Sequence, residues 1–372
     1  MVWYIDCPSP YLSIFSISPV PPFRNYHIRD ELVGNTLSGA LKKLLAAESW
    51  AKVKSLISGR HVQVNGNLCL DEGRRLTAKD VVKVWQQPLA KPVTAGDVRL
   101  LYVDDHLVVV EKPAGMTTLR HPEERHWPAR RKQLQPTLDE ALPRVLAKKL
   151  GIPVAEEERS HLRKGRSNRR PETRRTPPKP KLPRVRAVHR LDRDTSGLMV
   201  FARTPQAEQS LVRLFSKHKI ERAYIAVVQG AVEEQTIRTW LVRDRGDGLR
   251  GSSPLGKEAP ESQEAVTHVK PLETFAAGGE TYSLIECRLE TGRTHQIRIH
   301  LSERGHMLCG ERTYTHQFGE KPRLDASAAP RQVLHAAVLG LVHPITQQPI
   351  AFRTKLPRDL QEWLTRLRGA SP

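Results

Sequence analysis

His189–Thr204 reads HRLDRDTSGLMVFART, and its two halves ask for different surroundings. Arg190, Asp192, Arg193 and Asp194 are charged, while Leu198-Met199-Val200-Phe201-Ala202 is a continuous apolar run. A surface loop has no need of the apolar run, and a plain core strand does not lead with charges. Together they predict a core strand with charged groups at the mouth of a sheet. In extended geometry Arg190, Asp192 and Asp194 share one side of the chain, alternating with Leu191 and Arg193. A nearby cation favours the ionised form of a carboxylate. A carboxylate in that state suits nucleophilic or electrostatic catalysis rather than general-acid work. Taken alone, Asp192 reads better as a structural salt-bridge partner.

The chain around this stretch has 372 residues, a formal net charge of +20 and a pI near 10.1. That length accommodates about two domains and a substantial core without metals or disulfides. So cationic a chain attracts polyanions: nucleic acid first, an anionic membrane surface second. Between Arg159 and Arg186 there are twelve Lys or Arg against one acid, Glu172. The remainder is still basic, which favours a nucleic-acid-binding body over a neutral enzyme carrying a basic tag. Cys7, Cys69, Cys287 and Cys309 form neither a CxxC pair nor a zinc spacing, and a reducing compartment, the cytoplasm, fits them best. No apolar run approaches membrane-spanning length. Residues 1–30 lack a cationic leader and are broken by prolines, so a poorly ordered extension is expected there rather than a signal peptide.

Further along, Leu37, Leu41, Leu44 and Leu45 recur at helical spacing, and WAKVKSLISGR continues as a second short helix. HVQVNGNLCL then alternates as a hairpin about Asn65-Gly66, and AKDVVKVW closes the module as a strand. These features predict a compact α+β unit over 31–87, with a linker over 88–97. Lys52, Lys54 and Arg60 flank its second helix. Beyond the linker, VRLLYVDDHLVVVEKPAGM reads as two strands about Asp104-Asp105, and Pro136–Gly151 as a helix. The segment 156–183 is rich in arginine and proline and is expected to be disordered in isolation. Two readings of it stay open: an arm that tracks RNA, or an insertion with no role beyond solubility.

Two more stretches carry chemistry. ERAYIAVVQG, Glu221–Gly230, alternates as a strand, with Tyr224 sharing a face with Ala226 and Val228. ETGRTHQIRIHLSERGH, Glu290–His306, turns at Thr291-Gly292 and becomes a helix, with Thr294 expected as N-cap and Gly305 as stop. Arg298 lies one turn into that helix, beside Ile297, with His295 at its start. Singly, each has a plainer reading: Tyr224 a core tyrosine, His189 and His295 satisfied polar groups, Arg293 a phosphate contact or a solvated side chain. The three stretches together, in order, overturn it.

In these stretches the chain resembles the RluA family of pseudouridine synthases, from about Val98 to Pro357 apart from the basic insert. Residues 31–87 resemble the alpha-L, S-four-like, RNA-binding domain. The resemblance implies an α+β fold: a catalytic domain over 98–368 built on a largely antiparallel mixed β-sheet with flanking helices, behind a small N-terminal α+β domain. It implies isomerisation of uridine to pseudouridine in structured RNA, with large-subunit ribosomal RNA ahead of transfer RNA. Asp192 takes the place of the catalytic carboxylate, Tyr224 of the strand tyrosine, and Arg298 of the arginine paired with the aspartate. Arg190 matches the arginine that fills the gap left by a flipped uridine. Arg190, Ile297, Arg293, His295, Lys52, Lys54 and Arg60 are the expected RNA contacts. No cofactor, metal, membrane or obligate protein partner is implied, and a monomer is expected. Met307 and Glu311 replace the family's usual proline and aspartate in GHMLCGERTY. Lying outside the catalytic trio, they are expected to bear on substrate choice more than on chemistry. A non-catalytic RNA-binding or ribosome-assembly protein would explain the charge but not the three matched contexts. A nuclease would show clustered carboxylates or histidines, and a glycosidase a second carboxylate as acid.

Overall fold

A computed structural model of the chain describes residues 23–65, 67–86, 88–89, 93–128, 132, 135–154 and 181–369. Two compact units divide between Pro92 and Val93. Apart from 181–183, the basic insert expected at 156–183 lies outside the described residues.

The first unit is built from α1 (Leu37–Leu44), α2 (Trp50–Ser58) and a four-stranded sheet. Each helix starts on a hydroxyl: Thr36 Oγ1 accepts the Gly39 N–H and Ser49 Oγ the Lys52 N–H, satisfying donors that a helix start leaves open. Leu37, Ala40 and Leu41 of α1 and Val53 and Ile57 of α2 bury their apolar faces in one core with Val62, Val64 and Val82 of the sheet. The strands are β1 (Phe23–His27), β2 (Val62–Val64), β3 (Asn67–Leu68) and β4 (Val81–Trp85), in the order β1-β4-β2-β3. Asn65 turns the β2–β3 hairpin in the left-handed conformation, φ +52°. Its amide ties the turn to Asp80 and to the Val81 N–H, interactions that suit asparagine there.

The expectation of a disordered extension over 1–30 fails for residues 23–30. Phe23–His27 pairs antiparallel with β4, from Phe23↔Trp85 to His27↔Val81, and Ile28 is buried. The prolines that break the leader end at Pro22, and beyond them β4 has an open edge whose backbone groups a further strand satisfies.

The second unit holds one eleven-stranded sheet. Its strands are β5 (Arg99–Val103), β6 (Leu107–Lys112), β7 (Arg186–Ala187), β8 (Ser196–Ala202), β9 (Glu221–Gln229), β10 (Gln235–Val242), β11 (Gly251–Ser252), β12 (Gln263–Ala277), β13 (Glu280–Leu289), β14 (Leu334–Val342) and β15 (Pro349–Arg353). They run β11-β10-β12-β13-β9-β14-β8-β6-β5, with β15 on β14 and β7 on β8. Only the β8–β14 pairing is parallel, so the sheet is mixed and largely antiparallel. The helices are α3 (Leu138–Lys149), α4 (Pro205–Ser216), α5 (Gln296–Glu303) and α6 (Arg358–Gly369). β8, the apolar half of the opening stretch, is buried at every position. At its start Gly197 has φ +119°, and a Cβ there would lie 2.3 Å from the Ala336 carbonyl of β14. Only glycine allows that approach. A single apolar core joins Leu191, Tyr224, Ala226 and Val228 to Ile297 and Leu301 of α5. It brings all three chemistry-bearing stretches to one place.

Candidate active site

The loop that carries Asp192 is fixed from several sides. Thr118, buried, donates its hydroxyl to the Leu191 carbonyl at 2.8 Å and accepts the Leu191 N–H at 3.1 Å. Lys112 at the end of β6 is fully buried, and its ammonium donates to the carbonyls of Pro113, Met116 and Arg193 at 3.0, 2.8 and 3.0 Å. Burial pushes its pKa down to about 7, against the pull of Asp194 and Asp192. Gly115 returns its N–H to the Arg193 carbonyl, and Arg193 Nε donates to the Gly115 carbonyl. His189 Nε2 accepts the Val200 N–H while its ring stacks on Phe215, as a satisfied polar group does. The extended alternation expected through Asp194 stops at Asp192. There the Thr195 N–H bonds back to the Asp192 carbonyl at 3.2 Å and turns the chain into β8, leaving Asp194 exposed.

Opposite Asp192 stands α5. Its entry is wired by Gln296, whose side-chain oxygen accepts from Thr291 Oγ1 and the Arg293 N–H and whose amide donates to Val266 and Thr267. The N-cap is His295 rather than Thr294. His295 sits in the left-handed region, φ +59°, without a side-chain cap bond; the Gln296 side chain instead accepts the Arg293 N–H and fixes the turn before the helix. Gly305, φ +81°, follows the last turn, as expected.

Arg298 Nη1 donates to Asp192 Oδ2 at 3.2 Å. Its Nε and Nη2 grip Glu311 at 2.8 and 2.7 Å, a bidentate charge-assisted pair. Glu311 Oε1 also accepts the N–H groups of Arg312 and Thr313. Burial by itself would raise the Glu311 pKa, but the Arg298 donors and charge outweigh it and hold the carboxyl below its ordinary value. The guanidinium of Arg298 lies 5.1 Å above the Tyr314 ring. The Tyr314 hydroxyl is 2.7 Å from His295 Nδ1, and His295 Nε2 is 3.8 Å from Asp192 Oδ2. Glu311 therefore belongs to the carboxylate–arginine assembly, which corrects the expectation that its position bears mainly on substrate choice.

Tyr224 of β9 is buried in the core with Ile297 and Leu191. Burial raises its hydroxyl pKa, with the charge of Asp192 adding and that of Arg222 opposing, so at neutral pH the phenol keeps its proton. Arg190 is exposed beside the loop. Arg293 is half-buried, and its Nε donates to the Glu264 carbonyl at 2.9 Å. In the first unit, Lys52 and Lys54 are exposed on α2, Lys54 lying 4.0 Å from Glu72, while Arg60 follows the helix at φ +68°. Two positions apart on a helix, Lys52 and Lys54 stand on different flanks. Lys112 and Tyr314, which the sequence does not single out, stand around this assembly as well.

Residues 106–303 match the RNA pseudouridylate synthase family, and residues 40–82 match the S4 domain. The chain belongs to the RNA pseudouridylate synthase family. It is an isomerase acting on uridine in RNA. Its relatives include the ribosomal large subunit pseudouridine synthase D of Zymomonas mobilis, 33% identical over 353 residues, which span 91% of this chain and 96% of that protein. The protein of the same name from Neisseria meningitidis serogroup B is 32% identical over 91% of this chain and 80% of its own length. The fold is also that of human RNA pseudouridylate synthase domain containing 4, at 22% identity and a TM-score of 0.50 over 73% of this chain and 93% of that one. As a pseudouridylate synthase the chain has RNA as its partner, and the charge and the S4 match agree. Among the described residues no helix is long and apolar enough to cross a membrane.

Proposed function

We propose that this pseudouridine synthase modifies large-subunit ribosomal RNA in the cytoplasm, as a monomer, with Asp192 as its catalytic carboxylate. The observation that carries the reading of the site is the chain Asp192–Arg298–Glu311, in which one arginine is shared between a half-exposed and a buried carboxylate. The large-subunit substrate is supported by the names of relatives aligned over nine-tenths of the chain.

A uridine within folded RNA is stacked or paired, so it must leave the stack, at a cost of a few kcal/mol. Arg190 fills the vacated space and meets phosphate. Asp192 promotes breakage of the bond between the sugar and the ring nitrogen, as nucleophile or as a stabiliser of charge on the sugar, in the manner of a glycosidase carboxylate. The base then turns, the sugar bonds to carbon-5, the carbon-5 proton passes to water, and the ring nitrogen freed from the sugar gains a proton in its place. Arg298 orients Asp192 and Glu311 orients Arg298. Tyr224 and Ile297 form the apolar floor, and Tyr224 closes the pocket by stacking and assists proton removal.

Tritium release from RNA labelled at carbon-5 of uridine tests this, comparing wild type with Asp192→Asn on large-subunit ribosomal and transfer RNA. Wild-type release from ribosomal RNA, abolished in the variant with RNA binding retained, is expected. Release from transfer RNA alone would move the substrate, and appreciable turnover by Asp192→Asn would remove Asp192 from its role.

A further inference from the structure

A second feature stands at the far end of α5. Phe318 is 60% exposed, yet its ring rests on a rigid support. The Arg245 guanidinium lies 5.8 Å from the ring centroid, within cation–π range. Arg245 is itself immobilised: its side chain is 1% exposed, and Nε and Nη2 hold Asp247 at 3.1 and 2.9 Å. Its Nη1 is buried without a hydrogen-bond partner, so no polar contact draws the guanidinium elsewhere. Gly246 has φ +117°, and a Cβ there would lie 3.3 Å from the Phe318 ring. The loop backbone therefore passes close beside the aromatic.

Both loops are tied to α5. Glu303 accepts the Ser252 N–H at 2.7 Å and its hydroxyl at 2.5 Å, and Ser302 Oγ donates to the His316 carbonyl at 3.3 Å. Glu303 lies five residues past Arg298, about 8 Å of helix rise. Arg250, further along the Arg245 loop, is near enough to act electrostatically on His295 and Tyr314. The platform is thus anchored to the last turn of α5, about one and a half turns beyond the arginine that meets Asp192.

We infer that Phe318 is a stacking platform for an unpaired base of the substrate RNA, next to the flipped uridine. Its place beside the strand rests on the reading of Asp192 as the reaction centre. A flat aromatic face, backed by a fixed cation and open to solvent, takes any nucleobase, because every base has a π-face. Lys321 in the same loop is exposed and supplies charge for a flanking phosphate. With a net charge of +20, the chain favours an RNA strand as occupant over a protein surface.

The test titrates single-stranded RNA of mixed sequence into the full-length protein and three variants, Phe318→Ala, Phe318→Leu and Phe318→Trp. Stacking predicts that Ala and Leu both weaken binding, on the order of tenfold. Trp should retain affinity, with its added emission quenched by RNA. If Phe318 only covers Arg245, Leu behaves as wild type. That result, or wild-type affinity in the Ala variant, or unquenched Trp emission, overturns the inference. Tritium release by wild type reports separately on the ribosomal substrate, so the two readings fail independently.

Discussion

Glu311 holds Arg298 with both carboxylate oxygens, at 2.8 and 2.7 Å, and leaves the arginine one nitrogen, Nη1, to meet Asp192 at 3.2 Å. The buried carboxylate sets the arginine's position, and the arginine sets that of the half-exposed aspartate. Burial works against the charge on Arg298, but the two carboxylates more than offset it and raise its pKa above the ordinary value.

Glu311→Gln keeps the shape and removes the charge. Breaking a buried ion pair by neutralising one partner costs about 3–5 kcal/mol, because the other charge stays buried. We expect a lower melting temperature and a kcat reduced by at least about tenfold, with KM little changed, since the lost contact orients the reacting group. Glu311→Asp, the family's usual residue, should recover part of kcat. Thermal melts and tritium release check both, and an unaltered kcat in Glu311→Gln would detach Glu311 from the site.

Lys112 gives a second prediction. Its side chain occupies a fully buried position and closes three carbonyls around the Asp192 loop. Lys112→Met preserves the packing but takes this donor from the Pro113 and Met116 carbonyls, the Arg193 carbonyl keeping the Gly115 N–H, at about 1–3 kcal/mol for each buried group left unpaired. A loss of several degrees in Tm is expected, together with a fall in kcat from a loosened loop. Wild-type kcat in a destabilised protein would confine Lys112 to folding.

These two residues show where sequence reading stops. The strand pattern of Leu198–Ala202, the alternation around Tyr224 and the turn-to-helix of Thr291–Arg298 were legible because each is local and periodic. Those patterns place the stretches that hold Asp192, Tyr224 and Arg298, and the family resemblance alone implies the roles of the three. Glu311 lies 13 residues past Arg298, and Lys112 is 81 residues from the carbonyl of Arg193 that it bonds; only the folded chain brings them together. Thr294 is a sound N-cap by composition, but the Gln296 side chain ties the turn to Thr291, Arg293, Val266 and Thr267 and the helix starts one residue later, which spacing rules do not anticipate. The strand at Phe23–His27 was hidden by the proline-rich leader before it. Its pairing answers to the β4 edge, not to its own pattern.

Stability should fall with acid in a defined window. His300 and His335 are fully buried. Each ring is held between two hydroxyls: Thr267 and Thr239 for His300, Ser196 and Thr354 for His335. Burial pushes both pKa values down to about 4, with nearby arginines contributing. The unfolded chain takes up these protons near the ordinary value of about 6.5, whereas the folded chain does not until about 4. Their contribution is therefore complete above pH 6.5 and is lost as pH falls toward 4, up to about 3 kcal/mol for each group. Melting temperature followed from pH 7.5 to 4.5 should decline, and His335→Gln should flatten the curve. A Tm independent of pH over that range would contradict the buried neutral assignment.

The last prediction concerns His295, whose left-handed backbone costs about 1–2 kcal/mol. Strain of that kind persists where the surroundings over-determine it, and here they do. Burial raises the Tyr314 hydroxyl to about 12, so it stays protonated and shares a hydrogen bond with His295 Nδ1 at 2.7 Å. The other ring nitrogen, Nε2, faces Asp192 at 3.8 Å. Burial also lowers the His295 pKa, with Asp192 opposing, so the ring is neutral at pH 7. His295 thus stands as a neutral ring beside Asp192, 3.8 Å from the oxygen that Arg298 holds. Tyr314→Phe keeps the ring beneath Arg298 and frees the tautomer; a kcat reduced about threefold to tenfold with unchanged RNA affinity is expected, consistent with one neutral hydrogen bond. His295→Gln should lower kcat further and remove the acid limb from the pH–rate profile, because the residue that protonates below neutrality is gone. If Tyr314→Phe and His295→Gln lower kcat independently, so that the double variant shows the product of the two effects, the two residues do not act through one another.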